Sequence, residues 1–285
     1  MNPTSCITSE PPPLREFLNP FRLLCYLMKH RELISLFAWR EFEGKYKGTY
    51  LGLVWAFLSP LLSLAVYFFV FSIVLGTKFS SMEGAGRTDF ALILFGGIVV
   101  YNIFAVSASK APLSIAEQTS FVKKVVFPLE ILPVAALCAS LLNAVLGLSM
   151  LIPALLVFSP KISSTLYLFP LVLIPMAAFS LGVSWLLGSL GVFAKDLGQA
   201  MAILLQLLFF ASPVLYPLSA VPESLQGFMR LNPLTTILEN TRRTLVLGQG
   251  LEWAWWAVIT VVSLVVMQLG YVWFMKTKRY FADVM

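Results

Sequence analysis

Few side chains in this chain have the types and spacing for covalent chemistry. His30 is the single histidine, set among charged neighbours as a solvated helix residue rather than a ligand. Cys6, Cys25 and Cys138 show neither disulfide-like nor metal-like spacing. Glu41 and Glu43 are two residues apart and point to different faces of a helix, so they form no acid–base pair. The Gly-rich piece Gly84-Ala-Gly-Arg-Thr88 lacks the Gly-x-x-x-x-Gly-Lys-Ser/Thr frame that cradles nucleotide phosphates. What remains is recognition chemistry: Arg40, Lys45, Tyr46 and Lys47 put positive charge and a ring close together, a set suited either to an anionic headgroup or, for the lysines alone, to a charged flank that orients the first span.

These four residues belong to the stretch Trp39 to Trp55, which leads into the first apolar run with no proline between. At helical spacing Trp39, Phe42, Tyr46 and Tyr50 share one side and the charges cover the rest, as in a helix lying at a membrane surface. Gly44, Gly48 and Gly52 repeat every four residues, a spacing that lets another backbone approach. A second stretch, Ser120 to Pro133, alternates Phe121, Val122, Val125 and Val126 with Lys123 and Lys124 and meets Phe127-Pro128. It reads either as a short helix docked in a groove while partly wet, or as a surface loop whose lysines set orientation. Two groups of rings, Tyr67, Phe68 and Phe71 in the first apolar run and Phe209, Phe210 and Tyr216 in the fifth, either pack or line a path. Trp253, Trp255 and Trp256 have the look of an interfacial belt.

The elements that must position these residues are apolar helices. Hydrophobic residues make up 59% of the 285 and charged residues 12%, half of the roughly 25% usual in soluble domains. Apolar runs at 48–77, 90–109, 131–160, 162–194, 197–216 and 253–275 give an all-α integral membrane protein with six transmembrane helices. Residues 1–48 form an N-terminal segment without a signal-like apolar core, and 49–285 the six-span domain. The net charge of +6 is explained by lipid and orientation rather than nucleic acid. Of the 20 Lys and Arg, seven precede the first span, three follow the second, and Lys195 and three C-terminal residues complete 14 on one side. Both termini are therefore expected in the cytoplasm. Ser180, Ser184 and Gly188, with Gly182 and Gly191 nearby, mark a helix–helix contact face in the fourth run. The span cores hold no Asp, Glu, Lys or Arg, which argues against an ion-coupled carrier. No internal repeat of the secondary-transporter kind is visible either.

Five blocks in order resemble the membrane subunit of type-2 ABC exporters for cell-surface polysaccharide. They are Trp39–Trp55, Ser120–Pro133, Ala194–Gln199, Phe209–Pro217 and Leu231–Arg243, and the likeness covers about residues 30–280. Glu117, Gln118 and Leu129 stand where the family usually has Asn and a basic residue, and Lys195 where Arg is usual. The resemblance implies an N-terminal amphipathic interface helix, a cytoplasmic coupling helix and outer re-entrant helices. It implies a homodimer in the bacterial cytoplasmic (inner) membrane that binds two copies of an ATPase, with ATP and Mg on that partner and no cofactor on this chain. Phe121, Val122, Lys123, Lys124, Val125, Phe127 and Pro128 would contact the ATPase. Arg40, Lys45, Tyr46 and Lys47 would receive a lipid headgroup at a cytoplasmic gate, and the six rings would line a sugar channel. The implied cargo is a lipid-linked polysaccharide of O-antigen or capsule type. Teichoic acid, another glycoconjugate or a drug are the alternatives on the same fold. A prenyl-phosphate sugar transferase would need an acidic or histidine constellation at a span end, and none is present. The charge split is tested by cysteine labelling from outside: probes at Gly84 and Gly250 should react and one at Thr277 should not, and external labelling of Thr277 overturns the topology.

Overall fold

The computed structural model describes residues 20–74, 87–117, 127–158 and 164–284. Among them the protein is helical with no strand. In chain order the helices are α1 (Pro20–Lys29), α2 (Arg31–Gly44), α3 (Val54–Tyr67, widening into π-helix over Phe68–Val74), α4 (Arg87–Ala116) and α5 (Ile131–Phe158). They continue with α6 (Phe169–Phe193), α7 (Leu197–Ala211), α8 (Glu223–Arg230), α9 (Pro233–Leu245), α10 (Trp253–Thr277) and the last turn α11 (Phe281–Val284). Among the described residues five segments are long and apolar enough to cross a membrane: Val54–Val74, Asp89–Ala116, Ile131–Phe158, Thr165–Phe193 and Trp253–Tyr280. The fifth expected run, α7, has only 15 residues. It rises about 22 Å at 1.5 Å per residue, short of the roughly 30 Å of hydrocarbon. The second run is longer than its composition suggests, because the helix carries on through Lys110 and Pro112 to Ala116.

The core is built around α4 and α6. Of the most apolar stretch of α4, 78% is buried inside the protein, against 6% for α3. Helix α6 fits between α4 and α10 because small residues line both of its faces. Ser184 bonds Ser107 of α4 at 2.8 Å, and a Cβ on Gly191 would overlap the carbonyl oxygen of Pro112. On the other side a Cβ on Gly270 of α10 would overlap the carbonyl oxygen of Gly182. The Ser180, Ser184 and Gly188 face is wholly buried, as the fourfold spacing suggests. Small side chains let the backbones touch where apolar burial alone gives little drive in lipid.

The approach to α3 differs from the expected continuous helix. Helix α2 ends at Gly44, and residues 45–53 turn before α3 begins. Gly48 (φ 85°) and Gly52 (φ 52°) supply left-handed backbone for this turn, and nothing stands within 4 Å of a Cβ at either. Their role is conformational rather than close approach. The turn also breaks the aromatic stripe: Phe42 and Tyr46 are buried against Ala139 and Ala56, while Trp39 and Tyr50 are exposed.

At the end of the bundle away from α1, two short helices follow α7. Exposed α8 is amphipathic, while α9 is buried along most of its length. Asn232 caps α9 by accepting from the Leu234 amide and donates to Ser212 at 2.9 Å. Arg242, 1% exposed, donates to the carbonyls of Pro213 and Val214 and pairs with Glu239 at 2.6 Å. This guanidinium satisfies carbonyls freed where α7 stops at Ser212. The glycine crossing yields a measurable expectation. Gly270→Ala should lower stability by about 1–3 kcal/mol through overpacking, seen as a lower Tm in detergent. Gly227→Ala, with open space around it, should not.

Candidate functional site

Between α3, α4 and α5 lies a polar crevice of about 240 Å³. One side comes from α3, where Ser59, Ser63 and Tyr67 recur at every fourth position, with Pro60 among them. The other comes from Asn102 of α4 and from Ser140, Asn143 and Gly147 of α5. Gly147 is required there, since a Cβ would meet Val99 of α4 at 2.8 Å. Lys45 and Tyr46 line the crevice from the turn that precedes α3. Tyr46 donates to Asn143 Oδ1 at 2.9 Å, and Asn143 Nδ2 donates to the Ala139 carbonyl at 2.8 Å. These bonds fix the amide and leave its remaining capacity turned to the cavity. Ser59, Ser63 and Asn102 are exposed and Ser140 is buried, so the crevice opens on the flank of an apolar bundle. Hydroxyls and amides grouped there suit a pathway or binding site.

A second hollow of about 370 Å³ sits beside α2, lined by Phe37, Arg40, Glu41, Lys110, Ser114 and Glu117 among others. Lys110 pairs with Glu41, and the Arg40 guanidinium stacks 4.4 Å from the Phe37 ring centroid. Lys45 lies 5.4 Å over the Tyr46 ring. Partial burial, and behind it the Lys110 charge, hold the Lys45 ammonium below the usual lysine range. Burial pushes the Tyr46 hydroxyl up, so it stays a donor.

The structure therefore divides the residues singled out from sequence. Lys45, Tyr46 and Tyr67 meet in the crevice, Arg40 lines the neighbouring hollow, and Lys47 stands on the surface. Of the other rings, Phe68 packs on Phe158 (4.9 Å) and Phe71 on Phe90 (5.3 Å). Phe209 meets Tyr101 edge-on at 5.2 Å. Phe210 is exposed, and Tyr216 donates to its carbonyl at 2.8 Å. The six rings do not form one lining within the chain. Trp256 donates to the Leu171 carbonyl of α6, a packing role, while Trp253 and Trp255 are exposed. Phe121, Val122, Lys123, Lys124 and Val125 lie outside the described residues. Phe127 stacks near Phe37 at 5.3 Å, and the Pro128 carbonyl accepts from the Ile131 amide where α5 begins. Ser59, Ser63, Asn102 and Asn143 escaped the sequence reading. The fourfold spacing of Ser59, Ser63 and Tyr67 was the available signal for α3; the asparagines gave none until α4 and α5 were paired.

Long apolar helices beside a recess that Lys45 and Tyr46 line from the preceding turn are the features of a multi-pass membrane protein. The chain belongs to the ABC-2 type transporter family, whose model matches residues 32–246. It is 30% identical over 219 residues to the O-antigen export system permease protein RfbA of Myxococcus xanthus, covering 76% of this chain and 81% of that one. The protein of the same name from Klebsiella pneumoniae is 24% identical over 255 residues, 89% of this chain and 95% of its own. The polysialic acid transport protein KpsM of Escherichia coli is 25% identical over 230 residues, 79% of this chain and 86% of its own.

The electrostatics of the mouth can be read directly. In competitive acetylation followed by mass spectrometry, Lys45 should titrate below the usual lysine range, because burial and, behind it, a like charge disfavour its cation. Lys110→Met should raise the Lys45 value toward the usual range. Titration of Lys45 within the usual lysine range would remove the assigned desolvation.

Proposed function

We propose that this chain is the permease subunit of an ATP-driven exporter that moves a lipid-linked cell-surface polysaccharide, of O-antigen or capsule type, across the bacterial cytoplasmic membrane. The observation that carries this reading is the crevice, where Lys45 and Tyr46 meet Ser59, Ser63, Asn102 and Asn143. Hydroxyls and amides donate and accept in alternation, as sugar hydroxyls do, and a lysine beside them suits a phosphate-bearing lipid end. The names of the relatives, export and transport proteins for O-antigen and polysialic acid, point the same way.

In this reading the chain crosses the membrane six times, with α7 as the short fifth crossing. Contacts support that path: Ser189 near the end of α6 bonds Thr277 near the end of α10, while Ser212 after α7 meets Asn232 before α9. Both termini then face the cytoplasm, where 14 of 20 basic residues gather. Helix α2 is the interface helix, and α8 with α9 are the outer re-entrant pair. Two copies of the chain pair, and each receives one ATPase subunit carrying ATP and Mg. Phe121, Val122, Lys123, Lys124 and Val125, continuing into Phe127 and Pro128, make that contact. Tyr67, Phe68, Phe71, Phe209, Phe210 and Tyr216 serve the sugar path at the paired surface, where Phe210 is already exposed.

Two measurements test the proposal. The purified chain freed of partners should hydrolyse no ATP, and intrinsic turnover would sink the two-component arrangement. Asn102→Leu and Ser63→Leu should each cut export about tenfold or more, since an unmade polar contact costs about 1–3 kcal/mol. Lipid-linked polymer should then accumulate inside cells with normal membrane levels of the protein. Normal surface polysaccharide in both variants would refute the crevice as the pathway.

A further inference from the structure

At the foot of α5 a single carboxylate bonds both α1 and the turn that follows α10. Glu130, two residues beyond Pro128 at the foot of α5, is 3% exposed. Its Oε1 accepts from the Tyr26 hydroxyl of α1, and its Oε2 accepts from Lys278 Nζ, just past α10, at 2.6 Å. Its backbone carbonyl accepts from Trp185 Nε1 of α6 at 3.0 Å. Three other elements thus converge on one residue of α5's foot, from positions up to 148 residues away in the chain. Two of the arms are themselves held. The His30 ring lies 4.4 Å from that of Tyr26, and its Nδ1 lies 2.9 Å from the Tyr26 carbonyl. Trp185 is fully buried, with its ring 5.1 Å from that of Tyr271 on α10. Burial, and after it the bond to Glu130, push the Tyr26 hydroxyl far above its ordinary value, so it keeps its proton and donates.

Glu130 is buried while the Lys278 side chain keeps 28% of its exposure. Such a pair is a poor source of net stability, because taking the carboxylate out of water costs about what the attraction returns. An apolar contact would hold these helices together as well. What a charge-assisted pair adds is fixed register, since it is satisfied in one geometry only. We propose that Glu130 is a positioning residue for transport: it locks α1, the feet of α5 and α6 and the end of α10 into one unit. A displacement imposed at this end by an ATPase then reaches the α4–α6–α10 core instead of being lost in separate ends. The proposal rests on the ATP-driven reading above and adds a residue with a defined task to it.

The test uses the full chain assembled with its cognate ATPase, comparing wild type, Glu130→Gln, Lys278→Met and the double variant. Thermal unfolding, ATP hydrolysis by the purified complex and surface polysaccharide in cells are read together. Lys278→Met alone should lower Tm most, because it strands a buried carboxylate. The double variant should recover most of that Tm, since no unpaired charge remains and the introduced amide oxygen can still accept from Tyr26. Its ATP hydrolysis should match wild type while export per ATP falls about tenfold, within the usual range of a coupling energy. A double variant that exports normally overturns the proposal. So does one whose ATP hydrolysis falls in step with export, because that is the mark of general damage rather than lost coupling. Wild-type export that proceeds without ATP consumption would instead overturn the ATP-driven reading itself.

Discussion

The close approach of α6 to its two neighbours is the constraint from which the rest of the fold follows. In lipid, helices gain little from hiding apolar side chains from one another, so contact depends on backbones that can touch. Gly182, Gly191 and Gly270 provide that approach, and the Ser107–Ser184 hydrogen bond fixes the pairing of α4 with α6. With α4, α6 and α10 so locked, α4 becomes the buried centre, and other elements arrange themselves around it. Helix α5 packs on α4 through Gly147, and α2 lies along α5 through Phe37, Ala38 and Phe42.

Helix α3 is left at the edge, and the functional site depends on this. Its small buried share means that it leans on α4 and α5 only through part of one face. The turn at Gly48 and Gly52 frees it from the direction of α2, so its serine face need not follow the aromatic face of that helix. The crevice is the gap that remains when a polar stripe is laid against two asparagines without being squeezed shut. Its mouth is set by Tyr46, which belongs to the turn and yet is anchored to α5 through Asn143.

How much was legible in the sequence varied with the kind of force at work. Apolar runs without charge announce helices in a membrane directly, and the small-residue face of α6 was readable because its period matches the helix. Lys45 and Tyr46 were singled out from local charge and ring content, and the structure brings them together with Tyr67. Positive-φ glycines were misread, since a repeat of four fits a contact face and a pair of turns equally well. Glu130 and Arg242 were invisible for another reason. A buried charge is defined by its partners, and Tyr26, Lys278, Pro213 and Val214 lie 28 to 148 residues away in the chain. The length of α7 was overestimated because apolar composition runs on to Leu215, while Pro213, held by Arg242, ends the helix early.

The shortness of α7 has a consequence for the membrane as well as for the protein. On the six-crossing path proposed above, a segment about 8 Å shorter than the hydrocarbon layer leaves a mismatch, and each ångström costs a fraction of a kcal/mol. Thinning of the layer relieves such a mismatch, so a polar chain passing beside α7 would meet a shorter low-dielectric stretch, and part of its desolvation cost would be removed by the shape of the bilayer rather than by any side chain that touches it.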